Sequence, residues 1–338
     1  MNSISNSALH RLPDSAAMLP SILQFVFGTA ILVIGADWLV VGASCLAIHF
    51  GISPIVVGLT IVALGTSLPE LIVSLIAAFQ GTSDIALGNI VGSNIANIGL
   101  ILGFSALVRT LTVENNLIRR EIPMLILAST AFTLFTLNGV LGRIEGVILL
   151  IGLVGFIIFS TQKRDEAPDE LKDMTACAGL SGFALWWFIT GRILIGAIAL
   201  MLGAYWVVEG AKDIAEFFKV SELLIAITLV AVGTSLPELA TSIAAARRGY
   251  CGICLGNAVG SNLMNILLIA GTVGLLRPTQ VNLELISYQI PVMVGFTLAL
   301  VPILYTNRQI HRMEGAILLF SYLFFIAVLI LRGSVLGV

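Results

Sequence analysis

Apolar stretches recur along the chain from near residue 20 to near residue 332, separated by short segments where charges, glycines and prolines collect. A helix needs about 20 apolar residues to cross the hydrocarbon core of a bilayer. Read at that length, the pattern predicts ten spans, near 20–48, 54–79, 84–108, 121–138, 143–161, 182–212, 222–247, 252–276, 285–305 and 313–332. The first and sixth are longer than a straight crossing requires, so a tilt is expected. The first run also exceeds a signal-peptide core and lacks a basic segment ahead of it, which predicts a retained helix.

Much of this pattern is written twice. Residues 60–103 and 228–271 align without a gap at an offset of 168, with 27 of 44 positions identical. GADWLVVGA at 35–43 matches GAYWVVEGA at 203–211, REIP at 120–123 matches YQIP at 288–291, and GRIEGVILL at 142–150 matches HRMEGAILL at 311–319. The chain therefore reads as two five-span repeats, 1–161 and 182–338, joined by a short linker at 162–181. Five is odd, so the second repeat must enter the membrane from the opposite side, which predicts inverted repeats. The expected fold class is an all-α integral membrane protein of ten transmembrane helices.

Composition supports the same class. The chain is 58% hydrophobic and 11% charged, whereas a soluble domain carries roughly 25% charged residues. Lipid is therefore its expected solvent. Eleven of the 17 Lys and Arg residues fall on the side opposite the N-terminus, and the positive-inside rule makes that side cytoplasmic, with both termini outside. The linker, QKRDEAPDELKDMTACAGLS, is charged and contains proline, as a solvated cytoplasmic loop would be. A net charge of −2 without a basic run gives no reason to expect nucleic acid. Cys45, Cys177, Cys251 and Cys254 lie in or beside apolar segments; Cys251 and Cys254 form a CxxC. No second such pair exists to complete a zinc site, so this pair is read as small helix-packing residues.

The candidate chemistry sits inside the duplicated blocks. GTSLPE occurs at 65–70 and again at 233–238. Pro69 and Pro237 cannot donate a backbone hydrogen bond and displace the carbonyl a turn earlier, while Gly65 and Gly233 let the chain bend. Unpaired carbonyls at membrane depth are tolerated where they line a cavity or meet a ligand. Thr66, Ser67, Thr234 and Ser235 add hydroxyls, and Glu70 and Glu238 add carboxylates. GNIVGSN at 88–94 and GNAVGSN at 256–262 follow, each with its first asparagine 19 residues after the glutamate. Ser93 and Asn97, like Ser261 and Asn265, stand four apart and share a helix face. Gly88, Gly92, Gly256 and Gly260 form small-xxx-small faces for close helix approach.

Such a set of hard oxygens suits Ca2+, which takes about 6–8 oxygen ligands in flexible geometry. Two carboxylates would neutralise one Ca2+, and more than one Na+ would be needed to do the same. The packing reading is weakened because both motifs recur in both halves, in the same order and at the same spacing. Asp37 and Glu209 are read as gate-helix or interfacial packing, Arg143 with Glu145 and Arg312 with Glu314 as helix starts, Asp84 as a loop acid, and His49 and His311 as interfacial.

On these motifs, GTSLPE and GN-x-x-GSN in both halves and GADWLVVGAS ahead of the first, the chain resembles the calcium/cation antiporter superfamily, in its prokaryotic sodium/calcium exchanger branch. The resemblance implies ion sites built from helices two, three, seven and eight, with the first and sixth helices sliding over them as a gate. Carried over by motif position, the ligand side chains would be Thr66, Ser67, Glu70, Ser93 and Asn97 with Thr234, Ser235, Glu238, Ser261 and Asn265. Backbone carbonyls of Ala63, Thr66, Ala231 and Thr234 would join them. Some relatives carry an acid where this chain has Asn265, which disfavours dependence on K+. Val41 stands where many relatives carry glutamate.

The expected function is secondary antiport of Ca2+ against Na+ by alternating access across a bacterial-type inner membrane. Exchange of Ca2+ (or another divalent cation) for H+ on the same fold is the alternative. No phosphate-binding G-x-x-x-x-G-K-[ST] motif is present, so ATP is not expected to drive transport. No cofactor and no obligatory protein partner are expected; the partners are lipid and the two transported ions. An intramembrane hydrolase would need a nucleophile with a base, and all three histidines lie at span ends or outside. A passive channel fits an internal inverted repeat poorly.

Overall fold

The computed structural model describes residues 15–162, 176–217, 233–305 and 308–336. The helices, numbered along the chain, are α1 (Ser15–Phe50), α2 (Pro54–Thr66), α3 (Leu68–Gln80), α4 (Ser83–Val108), α5 (Ile122–Thr136), α6 (Arg143–Thr161), α7 (Gly182–Phe217), α8 (Leu236–Arg248), α9 (Cys251–Leu276), α10 (Leu285–Tyr305) and α11 (Arg312–Leu336). Among the described residues seven are long and apolar enough to span a bilayer, and the bent pair α2–α3 makes up to eight. The predicted span at 121–138 is a 15-residue helix, α5, preceded by a π-helical turn that carries Arg119, Arg120 and Glu121. The predicted span at 222–247 and the linker at 162–181 lie partly outside the described residues.

The two halves are interleaved. Strand β1 (Leu111–Thr112) pairs with β4 (Gln309–Ile310), and β2 (Val140–Leu141) pairs with β3 (Thr279–Gln280), both antiparallel. β1 and β3 stand 168 residues apart and β2 and β4 169, so each ribbon joins a strand of one half to the non-equivalent strand of the other, and the two ribbons are repeat-mates of each other. The helices follow suit. A Cβ added at Gly103 of α4 would stand 2.9 Å from the Leu319 nitrogen of α11, and one at Gly146 of α6 would stand 2.5 Å from the Leu275 nitrogen of α9. Neither half could hold these packing surfaces alone.

α1 and α7 form an antiparallel pair. Gly28, Gly35 and Gly42 on one helix, and Gly196, Gly203 and Gly210 on the other, recur every seven residues, the spacing that keeps one face turned toward a partner. An added Cβ would stand 2.8 Å from the Leu200 nitrogen at Gly35 and 2.6 Å from the Leu32 nitrogen at Gly203. Without a hydrophobic drive in lipid, such close backbone approach is what holds two helices together.

Polarity is inverted relative to a soluble protein. Ile144, Ile151, Val154 and Ile158 on α6 and Phe320 and Phe324 on α11 are exposed, while Glu70, Glu238, Asn97 and Asn265 are buried. Exposed apolar side chains on outer helices are what lipid solvates; the buried polar groups need partners inside.

One local reading changes, and two features come from the structure alone. Asp84 is in the first turn of α4 rather than in a loop, where negative charge faces the positive end of the helix dipole; it accepts a 2.8 Å bond from Asn282. Cys45 and Cys177 are joined by a disulfide, with Cα atoms 6.1 Å apart, whereas Cys251 and Cys254 are buried thiols outside any disulfide. Several spans also contain π-helical segments, at Gly58–Val62, Asn97–Leu102, Leu117–Glu121, Met264–Ala270 and Leu285–Gln289, which hydrophobic periodicity does not register. Glu145 and Glu314 behave as helix-start acids, accepting from the backbone N–H of Gly142 at 3.1 Å and of His311 at 2.8 Å.

Candidate ion-binding site

The two GTSLPE segments turn at the same serine. α2 and α3 meet at 45°, with Ser67 at φ −83°, ψ 4°, and Ser235 occupies the same conformation at φ −89°, ψ 5°. This is the sparsely populated bridge region. The break falls on the serine rather than on Gly65, because Pro69 sits in the first turn of α3, where a missing N–H leaves no bond unmade. Ser67 still donates its N–H to the Ala63 carbonyl at 2.9 Å. Glu70 and Glu238 thereby fall in the first turn of α3 and α8, where helix dipoles favour a carboxylate.

The halves then exchange partners. Ser67 donates to Glu238 Oε1 at 3.0 Å, and Ser235 donates to Glu70 Oε1 at 3.4 Å. Each acid therefore rests against the broken turn of the other repeat, and both are only 1% exposed. Thr66 donates to Asn257 Oδ1 at 3.2 Å with the Ala63 carbonyl also 3.3 Å away, and Thr234 donates to Asn89 Oδ1 at 3.1 Å. Asn97 donates to Asn262 Oδ1 at 2.9 Å.

The unpaired atoms are as informative as the paired ones. Oε2 of Glu70, Oε2 of Glu238, Oγ of Ser93 and Ser261, and Oδ1 of Asn97 and Asn265 are buried with no hydrogen-bond partner among the described residues, as is Nδ2 of Asn265. Leaving one such group unsatisfied costs about 1–3 kcal/mol, more for a charged one. Six of the orphan oxygens, two of them carboxylate, fall on the expected ligand residues, a set that would accept a cation; others fall elsewhere, as at Ser105, Ser129 and Ser160. No group of three or more His, Cys, Asp or Glu that could hold a metal exists among the described residues, so neutral oxygens would supply most of the ligands. That donor set suits Ca2+ or Na+ rather than a transition metal.

Thr66, Ser67, Glu70, Ser93, Asn97, Ser235, Glu238, Ser261 and Asn265 are all buried, Ala63 is fully so, and Thr234 is partly buried. Ala231 lies outside the described residues. Close packing of α9 on α2 sets this geometry: an added Cβ would stand 2.5 Å from the Ile55 carbonyl at Gly256 and 2.6 Å from the Leu59 Cα at Gly260. The positions one repeat away from Ile55 and Leu59, 223 and 227, lie outside the described residues. Motif matching missed the leading asparagines. Asn89 donates to the Glu70 carbonyl at 3.2 Å and to Ser74 at 2.9 Å; Asn257 donates to the Glu238 carbonyl at 3.3 Å and to Ser242 at 3.0 Å. Their identity at both offsets was the signal that could have found them.

Asp37 lies outside this cluster. It pairs with Arg248 at the far end of α8, through Nε at 2.7 Å and through Nη2, with both side chains more than a third exposed. Ten residues of helix, about 15 Å, separate Arg248 from Glu238. Asp37→Asn should therefore leave the KM for Ca2+ within about twofold, since a solvated ion pair contributes about 0–1 kcal/mol. A shift of KM comparable to that of a glutamate variant would place Asp37 among the ligands instead.

Comparison with known proteins agrees with the motifs. The family model described as sodium/calcium exchanger protein matches residues 20–162 and 188–331. The sodium/calcium exchanger MaX1 of Methanosarcina acetivorans is 33% identical, over 91% of this chain and 98% of its own length. The inner membrane protein YrbG of Escherichia coli is 35% identical, over 78% and 82% respectively. A solved structure of the sodium-calcium exchanger NCX_Mj superposes with a TM-score of 0.79 at 33% identity, covering 91% of this chain and 98% of that one. With its duplicated acid-bearing turns buried against each other in an apolar exterior, the chain belongs to the sodium/calcium exchanger protein family of membrane antiporters.

Proposed function

We propose that this protein exchanges Ca2+ for Na+ across a membrane by alternating access. In this reading Glu70 and Glu238 share the ion, and Thr66, Ser67, Ser93, Asn97, Thr234, Ser235, Ser261 and Asn265 complete its oxygen shell, with carbonyls of Ala63, Thr66, Ala231 and Thr234. The observation that carries it is the reciprocal placement of the two acids, each hydrogen-bonded by one oxygen to the opposite repeat and left with the other oxygen unpaired. Two carboxylates balance one divalent ion or two monovalent ones, so Ca2+ and Na+ compete for one set of ligands. The repetition of one ribbon by the other, strand for strand at offsets of 168 and 169 residues, supports a ten-helix protein of two inverted five-helix repeats, 1–161 and 182–338. The Gly-lined pair α1–α7 would move as the gate.

The test is uptake of radiolabelled Ca2+ by proteoliposomes loaded with Na+, compared at fixed pH with and without a Na+ gradient. Uptake that follows the Na+ gradient supports the reading. Uptake that follows a pH gradient instead replaces Na+ with H+.

Orientation is a separate matter. The arginine and lysine count puts both termini outside, which places the Cys45–Cys177 disulfide on the cytoplasmic side, where thiols are normally kept reduced. A reporter fused to the C-terminus in an inner membrane decides: an outside signal upholds the charge count, and an inside signal reverses it.

A further inference from the structure

We infer that Asn89 and Asn257 are positioning residues that hold the threonine hydroxyls of the opposite repeat with their lone pairs free for the ion. The inference rests on the exchanger reading above and deepens it. The argument begins with a backbone carbonyl, which can only accept. The Glu238 carbonyl lies 3.3 Å from one side-chain atom of Asn257, so that atom must be the amide nitrogen. The same nitrogen reaches Ser242 Oγ at 3.0 Å. The other atom, facing Thr66 at 3.2 Å, is then Oδ1, an acceptor. The second neighbour of the Thr66 hydroxyl, the Ala63 carbonyl at 3.3 Å, is also an acceptor. The Glu238 carboxylate is a further hydrogen-bond acceptor for Thr66; with the hydroxyl hydrogen given to Asn257 or to the Ala63 carbonyl instead, its lone pairs point away from both.

A hydroxyl carries one hydrogen and two lone pairs. Free to rotate, it could turn its hydrogen toward a cation and repel it. With its hydrogen held by the asparagine it presents oxygen to the site and leaves the carboxylate free for the ion. The other half repeats the logic: Asn89 gives its nitrogen to the Glu70 carbonyl at 3.2 Å and to Ser74 at 2.9 Å, and takes the Thr234 hydrogen at 3.1 Å. The contacts cross between repeats, Asn257 to Thr66 and Asn89 to Thr234. Each asparagine also anchors the backbone of its own glutamate, so one side chain ties a carboxylate of one repeat to a hydroxyl of the other. Asn89 is 7% exposed and Asn257 fully buried.

The experiment is a double-mutant cycle on the purified protein in detergent, read by equilibrium binding of radiolabelled Ca2+ and, in proteoliposomes, by KM and maximal rate separately. Asn257→Ala should weaken Ca2+ binding and raise KM about tenfold, with maximal rate changed less than about threefold, the size of one lost ligand contact. In a Thr66→Val background the same change should weaken binding less than about threefold, because the hydroxyl it orients is gone and only the anchor on the Glu238 carbonyl is lost; Thr66→Ser should restore the full dependence. Equal weakening in both backgrounds would mean a merely structural asparagine and would overturn the inference. If Asn257→Ala does not give a monodisperse protein, the equivalent cycle at Asn89 and Thr234 carries the same two outcomes. Ca2+ binding with a coupled cycle but no Na+-driven flux would remove the exchanger reading and leave the positioning role of the asparagines standing; flux with an additive cycle would do the reverse.

Discussion

Glu70→Gln and Glu238→Gln will each abolish Na+-driven Ca2+ uptake, lowering it by more than about a hundredfold, while the protein still folds. Glutamine keeps the shape of the side chain and an oxygen for the facing serine to donate to, so the Ser235–Glu70 and Ser67–Glu238 contacts can persist. What is lost is one negative charge in a buried site. A divalent ion facing a single carboxylate keeps an uncompensated positive charge. Two unit charges about 4 Å apart interact by about 4 kcal/mol at an effective dielectric near 20, and a difference of that size is about a thousandfold in affinity. Glu145→Gln and Glu314→Gln, at helix starts away from the cluster, should change uptake less than about twofold and serve as controls. Near-normal uptake in either buried variant would remove the two-acid site.

Gly256→Val will cost the protein both stability and transport. An added Cβ would stand 2.5 Å from the Ile55 carbonyl and 2.9 Å from the Leu59 nitrogen, and both are backbone atoms that cannot rotate aside. α9 must then move off α2, whose last residue is Thr66. Overpacking of this kind costs about 1–3 kcal/mol and sometimes more, which should appear as a lower melting temperature in detergent and as lost Ca2+ uptake. Gly155→Ala on α6 is the matched control, since nothing lies within 4 Å of its added Cβ. There alanine should be neutral or stabilise the helix by up to about 1 kcal/mol. Equal melting temperatures for Gly256→Val and the parent protein would show that the helices are not in the contact described.

The local chemistry of the site was legible before any fold was known. An acid after a proline, hydroxyls beside it, and Ser and Asn four residues apart are short-range patterns, and their recurrence at a fixed offset separated them from ordinary helix packing. The break at Ser67 was legible only approximately. Proline announces a disturbed turn, but which residue takes the bridge conformation depends on where the next helix begins. The π-helical turns at Asn97 and Met264–Asn265 left no trace in the hydrophobic period, because one extra residue per turn barely shifts an all-round apolar pattern. Asp84 reads as a loop acid although the predicted span begins beside it, because the start of α4 has no side-chain cap hydrogen bond to announce it.

Membrane residence, duplication and the identity of the two acids were determined by the sequence alone, since each follows from counting and comparing residue types along the chain. The pairing of Ser67 with Glu238, of Thr66 with Asn257, of Asp37 with Arg248 and of Cys45 with Cys177 was decided by tertiary structure. These partners stand 171, 191, 211 and 132 residues apart. No local period or motif spacing reaches across such distances. Only the interleaving of the two repeats brings one half's hydroxyls to the other half's acids.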